Sequence, residues 1–181
     1  MRRELLLVLK QLEKIIFDTN HYQMEHLEEI KQQIYDLYDE CLENLTQFHR
    51  KIDLFIVPEN IAQNIKNLTG IDVSEHWVCV DNYGILHILE HHGNPVSEAK
   101  RGQIAIEKED FIRMLDVFLE PDEIKSIGVT KHTNMPILQF MKEIDGKVYV
   151  VKELRTSLSK KKNKRSRLVL HTMYKIKAPK N

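Results

Sequence analysis

Cysteine is nearly absent from this chain: Cys41 and Cys79 are the only two in 181 residues. They stand too far apart to form a paired-cysteine zinc pattern and are too few for a secreted disulfide framework, so a reducing, cytoplasmic setting is expected. The length suits one domain plus an appendage, enough to bury a core without disulfide or metal staples. Long apolar runs are missing too. The stretch LLLVL at Leu5 to Leu9 is far shorter than the roughly 20 residues of a membrane span, and Lys10, Glu13 and Lys14 come directly after it. It does not read as a secretory leader, and no membrane partner is expected.

Net charge is the third absence, with 27 basic and 27 acidic residues. The balance conceals an asymmetry. Lys142 to Asn181 holds 13 Lys and Arg against three acids, leaving 14 bases and 24 acids in the rest of the chain. A basic tail therefore extends from an acidic body. Its densest part, SLSKKKNKRSR from Ser157 to Arg167, contains Lys160, Lys161, Lys162, Lys164, Arg165 and Arg167. Such a segment either tracks a phosphate backbone or forms a solvated loop.

What the chain does have is histidine, concentrated in GILHILEHHGNP from Gly84 to Pro95. His87-Ile-Leu-Glu90-His91 matches the H-x-x-E-H of inverted zinc proteases, and residues four apart share a helix face. The same residues also serve as acid/base histidines, or as basic residues that complement a helix C-terminus closed by Gly93 and Pro95. All three readings stand at this level.

From Arg3 to about Val57 the apolar residues keep helical spacing: Leu5, Leu9, Leu12, Ile16, then Leu27, Ile30, Ile34, Leu37, Cys41, Leu45, Phe48, Ile52, Phe55. Asp18-Thr19-Asn20, with Gln23 after it, suggests a turn. Residues 1–57 thus read as a helical arm, a hairpin or one long helix, that packs on itself, on a partner or on the C-terminal region. Residues 58–181 read as an α+β domain. It starts with a helix over Glu59 to Leu68 closed by Gly70, a strand over Trp77 to Val80, and the histidine helix over Asn82 to His92. A further helical pattern lies within Ile104 to Leu119 and stops at Pro121. Three strand-like runs complete the domain: Ile137 to Ile144, Val148 to Arg155 and Leu168 to Ile176.

Asp145-Gly146 joins the first two runs as a hairpin turn. Pairs then sum to 291, setting Lys142 opposite Tyr149, Phe140 opposite Val151 and Leu138 opposite Glu153. On this register Lys142, Tyr149, Glu153 and Arg155 share one face. Ile137, Met141, Val148, Val150 and Leu154 form the other, which would lie on helices. Thr172 and Tyr174 also share a face in the third run. These polar residues form either a solvated ladder or a site.

The order LHILEHHG, IEKEDFIRMLDVFLEPDEI, ILQFMKEIDGKVYVVKELR and LVLHTMYKIK resembles the phage and mobile-element nuclease domains of the barnase, EndoU, colicin and RelE-like superfamily, over roughly Asn60 to Lys177. These are found behind Mu-type minor head proteins and in polymorphic toxins. The resemblance implies helices on one side of a small antiparallel sheet with RNA on the other, and ribonuclease activity without metal or other cofactor. It places the functional positions at His87, His91, His92, Lys142, Glu153, Arg155, Thr172 and Tyr174. His171 falls on the opposite face from Thr172 by alternation. The partners it implies are RNA and an immunity or parent phage protein, with a second copy through the N-terminal helices as a further candidate.

Those residue types suit the chemistry. Cleaving RNA without metal requires a base for the ribose 2′-hydroxyl, positive charge for the phosphorane-like state and an acid for the leaving 5′-oxygen, and it yields a 2′,3′-cyclic phosphate. Histidine titrates near neutral pH. Lys142 and Arg155 offer fixed charge, Arg155 as a two-pronged fork. Thr172 and Tyr174 can hold phosphate oxygens, or Tyr174 can stack a base. Glu153 orients a histidine or is itself the base. Two other classes remain open: an inactive nucleic-acid-binding or phage-assembly module, and a zinc metalloprotease.

Overall fold

A computed structural model describes residues 26–44, 48–132, 134–157 and 165–179, with the side chains of 153–157 excepted. Leu5 to Ile16, the Asp18-Thr19-Asn20 turn, Leu45 and the lysines between 160 and 164 therefore lie outside the described residues.

The first described element is helix α1, residues 26–43. Ile30, Ile34, Leu37 and Cys41 recur at three- and four-residue steps and are all buried. They enter the same hydrophobic cluster as the sheet and the later helices, so α1 packs on the C-terminal region. Tyr38 meets Phe111 at 5.3 Å between ring centroids, and Lys108 Nζ donates to Asp39 Oδ1 at 2.5 Å. Helical spacing through Ile52 and Phe55 does not continue as helix. Lys51–Ile56 is strand β1, in which Ile52 and Leu54 alternate inward, and Val57 is buried behind it. Coincidental i, i+3 spacing had disguised a period of two.

The order then runs α2 (Glu59–Thr69), β2 (Trp77–Asp81), α3 (Asn82–His92), α4 (Pro95–Lys100), β3 (Gln103–Ile104), α5 (Asp110–Leu119), β4 (Glu123–Val129), β5 (Pro136–Ile144), β6 (Lys147–Ser157), β7 (Arg167–Val169) and β8 (Thr172–Lys177). This is the expected α+β class. The sheet is larger than the sequence suggested, because β1 and β4 join it and the run Leu168 to Ile176 divides into two strands. Its order is β1-β2-β7-β6-β5-β4, with β8 paired to β6 and β3 to β8. Among the described pairs only β2–β7 is parallel.

Asp145 and Gly146 both have positive φ, 51° and 71°, as a two-residue hairpin turn of the mirror-image type requires. The pairing holds from Ile144↔Lys147 through Phe140↔Val151. A bulge then adds a residue to β6, so Leu138 faces Leu154 and not Glu153, and Ile137 faces Arg155.

The burial of the two faces reverses the expectation. Leu138, Phe140, Tyr149, Val151 and Met173 are buried beneath α5, where Phe118 meets Phe140 edge-on at 6.0 Å. Lys142 and Tyr149 belong to this core face. Tyr149 Oη donates to Asp110 Oδ1 at 2.7 Å, and Lys175 Nζ, 2 % exposed, donates to Asp110 Oδ2 at 2.5 Å. Burial, then the neighbouring Asp110, pushes the Tyr149 phenol far up. The reason for the reversal is physical: ILQF and VYVV are apolar at both parities, and the bulkier Phe140 and Tyr149 take the side with a helix to pack on.

Helix α3 is set by Asp81, whose Oδ1 accepts from Gly84 N at 2.9 Å, and it ends where Gly93 N donates to Leu89 O. Pro95 then starts α4, capped by Asn94 Oδ1 on the amides of Val96 and Ser97. Gly84 is needed for a close approach, since a Cβ there would lie 2.6 Å from the carbonyl oxygen of Leu170. Gly84→Ala should therefore lower the urea midpoint. Overpacking strain of about 1–3 kcal/mol outweighs a helix-propensity gain of at most about 1 kcal/mol. An unchanged or raised midpoint would show that α3 shifts without cost.

Candidate active site

Contacts along α3 follow the chain from the β7–β8 connection into β8 in order: Gly84 against Leu170, His87 against His171, His92 against Tyr174. Helix and strand run side by side in the same direction. The His87 ring stacks on His171 at 4.5 Å and lies 4.4 Å from His91, giving a file of three imidazoles. His171, assigned by alternation to a face away from Thr172, sits in the β7–β8 connection, which frees its ring to meet the helix.

His92 is different. Its ring lies 5.9 Å from that of Tyr174, and its Nδ1 is 2.9 Å from Glu98 Oε2. The Glu98 side chain is fully buried and accepts from Arg101 Nη1 on its other oxygen at 2.7 Å. Arg101 Nη1 also donates to the His91 carbonyl at 2.7 Å, which fastens the turn after α4 to the end of α3. The result is a mostly buried histidine held on one side by a carboxylate, with the ring of Tyr174 beside it.

Beside it is the sheet face opposite α5. Register puts Thr172, Tyr174 and Ile176 there, opposite Lys152, Val150 and Val148, and Gln103 pairs with Ile176 on the same face. Thr172 Oγ1 and Gln103 Oε1 are buried without a hydrogen-bond partner among the described residues. Such atoms cost free energy unless something pairs with them. Burial raises the Tyr174 phenol above its ordinary value, so it remains a hydroxyl donor near neutral pH. Lys152 is half-buried and has no ion-pair partner among the described residues.

Of the residues the sequence singled out, the structure brings His87, His91, His92, Thr172 and Tyr174 to one edge of the sheet. Lys142 lies on the opposite face, where its Nζ donates to Glu120 O at 2.5 Å. The strand lysine on the site's own face is Lys152. Glu153 and Arg155 are placed only by backbone register, next to and beyond the bulge. Arg165 and Arg167 are engaged within the protein: Arg167 forks onto Asp53 at 2.6 and 2.9 Å, and Arg165 reaches Asp53 and lies 4.3 Å from the centre of the Trp77 ring. Burial alone would raise the Asp53 carboxyl, but these guanidinium groups hold it below its ordinary range.

Glu98, Arg101, Lys152, Gln103 and the role of His171 were missed from the sequence. Only Lys152 carried a legible signal, its strand parity. Glu98 lies six residues beyond His92, across a helix break that no local pattern spans.

The zinc-protease pattern does not assemble into a site. Glu90 is exposed and turned to His91 at 3.8 Å, while His87 stacks on His171. Among the described residues no three His, Cys, Asp or Glu side chains converge in a way that could hold a metal ion. No described helix is long and apolar enough to cross a membrane.

Compared with known proteins, residues 56–181 match the family model described as phage-Barnase-EndoU-ColicinE5/D-RelE like nuclease 3. Neither the curated proteins nor the solved structures give a match.

Proposed function

Since the chain belongs to the phage-Barnase-EndoU-ColicinE5/D-RelE like nuclease family, we propose that it is a toxin- or phage-associated endoribonuclease. It would cut RNA without metal, by attack of the ribose 2′-hydroxyl on the adjacent phosphate. The observation that carries this reading is His92, backed by Glu98 and facing Tyr174 beside the unpartnered hydroxyl of Thr172. A ribose–phosphate seated on that face meets a proton-transfer group, two hydroxyl donors and the Lys152 ammonium together. His87, in its stack with His171, stands one turn away as the second proton-transfer group.

Purified protein incubated with total RNA in excess chelator should produce fragments with 2′,3′-cyclic phosphate and 5′-hydroxyl ends, and should spare DNA. A gel shift without cleavage, or cleavage that needs an added divalent cation, would overturn the proposal.

Lys160, Lys161, Lys162 and Lys164 join β6 to β7 beyond Ser157, five residues along β6 from Lys152. At about 3.3 Å per residue Ser157, the last residue of β6, stands roughly 16 Å along the strand from Lys152. The lysines that follow it would therefore meet flanking phosphates and not the scissile one. Changing the four lysines to glutamine should flatten the salt dependence of RNA binding by roughly 0.7 in log–log slope per lost contact, with kcat nearly unchanged. An unaltered slope would show that the loop does not touch RNA.

A further inference from the structure

We propose that Glu98 is a positioning residue that fixes the tautomer of His92 and so makes Nε2 the proton-accepting atom of a general base. This rests on the ribonuclease reading above, and it assigns a role within that same site. A carboxylate only accepts hydrogen bonds, so the 2.9 Å contact from Glu98 Oε2 requires the proton on His92 Nδ1. Neutral His92 then carries its lone pair on Nε2. That arrangement suits a base: when Nε2 takes the 2′-hydroxyl proton, the imidazolium forms against a carboxylate already in place.

Arg101 is the second half of the device. Its guanidinium has donors only, and it holds Glu98 Oε1 at 2.7 Å. The groups in contact with the His92 ring are thus Glu98 from the α4 side and Tyr174 from β8, with Arg101 held on the far oxygen of Glu98. Of these, Glu98 is the one carboxylate in hydrogen-bond contact with the ring among the described residues.

The arrangement makes an isosteric substitution informative. In Glu98→Gln the amide oxygen must face Arg101, because two donors cannot face each other. The NH2 group is then left to donate to His92 Nδ1. That forces the neutral ring into the opposite tautomer, with the proton on Nε2, where it cannot act as base.

Nitrogen-15 NMR of the histidine rings in the full chain, without substrate, reads this directly. The wild type should show His92 protonated on Nδ1. Glu98→Gln should show it on Nε2. On RNA the variant's kcat should fall at least about tenfold, with KM within about threefold. A merely structural glutamate would leave the tautomer unmoved. A wild-type ring protonated on Nε2, or an unchanged tautomer in the variant, would overturn the proposal. Absence of RNA cleavage by the wild type would sink the ribonuclease reading instead, and the NMR result is independent of it.

Discussion

His92→Ala should lower kcat on RNA by a factor on the order of 10² to 10⁴, the usual contribution of a positioned acid or base, while circular dichroism and the urea midpoint show a folded protein. The reason is local. His92 combines a carboxylate partner, partial burial and proximity to Tyr174. His91 is about half exposed, and it meets the exposed Glu90 at 3.8 Å on the surface. His91→Ala should therefore lose far less, within about fivefold. His87→Ala should be severe as well if its stack with His171 delivers the second proton. Equal small losses at His91 and His92 would mean that both only complement the helix end.

The largest stability effect should come from the other face of the sheet. Asp110 accepts from Lys175, from Tyr149 and from the Glu107 amide at 2.6 Å, and it and Lys175 are both almost wholly buried. Asp110→Ala leaves an ammonium without a counter-charge in the core, which typically costs about 3–5 kcal/mol. Adding Lys175→Met should recover much of that loss, because the buried charge is then gone. Urea unfolding of both variants gives the comparison. A single-variant loss below about 1 kcal/mol, or no recovery in the double variant, would show that Lys175 reaches water and that the triad is not a core element.

The sequence disclosed elements more readily than faces. α3 was legible to both its ends because Asp81 caps it and Gly93-Asn94-Pro95 closes it. The β5–β6 hairpin was legible because Asp-Gly selects one turn geometry. β4 was not, since EIKSIGV shows one buried position and gains its order from pairing with β5. The facing of β5 and β6 was misread because their apolar residues fall at both parities, and the bulge past Phe140 broke the arithmetic that would have placed Leu138 against Glu153.

The site divides in the same way. Its histidines and the Thr-x-Tyr pair announce themselves by type and spacing. Glu98 and the stacking role of His171 become visible only once α3 lies along β8, because a carboxylate that orients a histidine is chosen by tertiary contact and not by distance along the chain. The charge asymmetry was legible in total but not in use: Arg165 and Arg167 belong to Asp53 and Trp77, with the Asp53 pairing spanning more than a hundred residues.

Central to the account is attack by the 2′-hydroxyl next to the scissile phosphate. Once a cleaved position is mapped in a short RNA, the same RNA carrying a single 2′-deoxynucleotide on the 5′ side of that bond tests it most directly, in excess chelator. Cleavage there should disappear while binding affinity changes by less than about threefold. Continued cleavage at the deoxy position would contradict the mechanism.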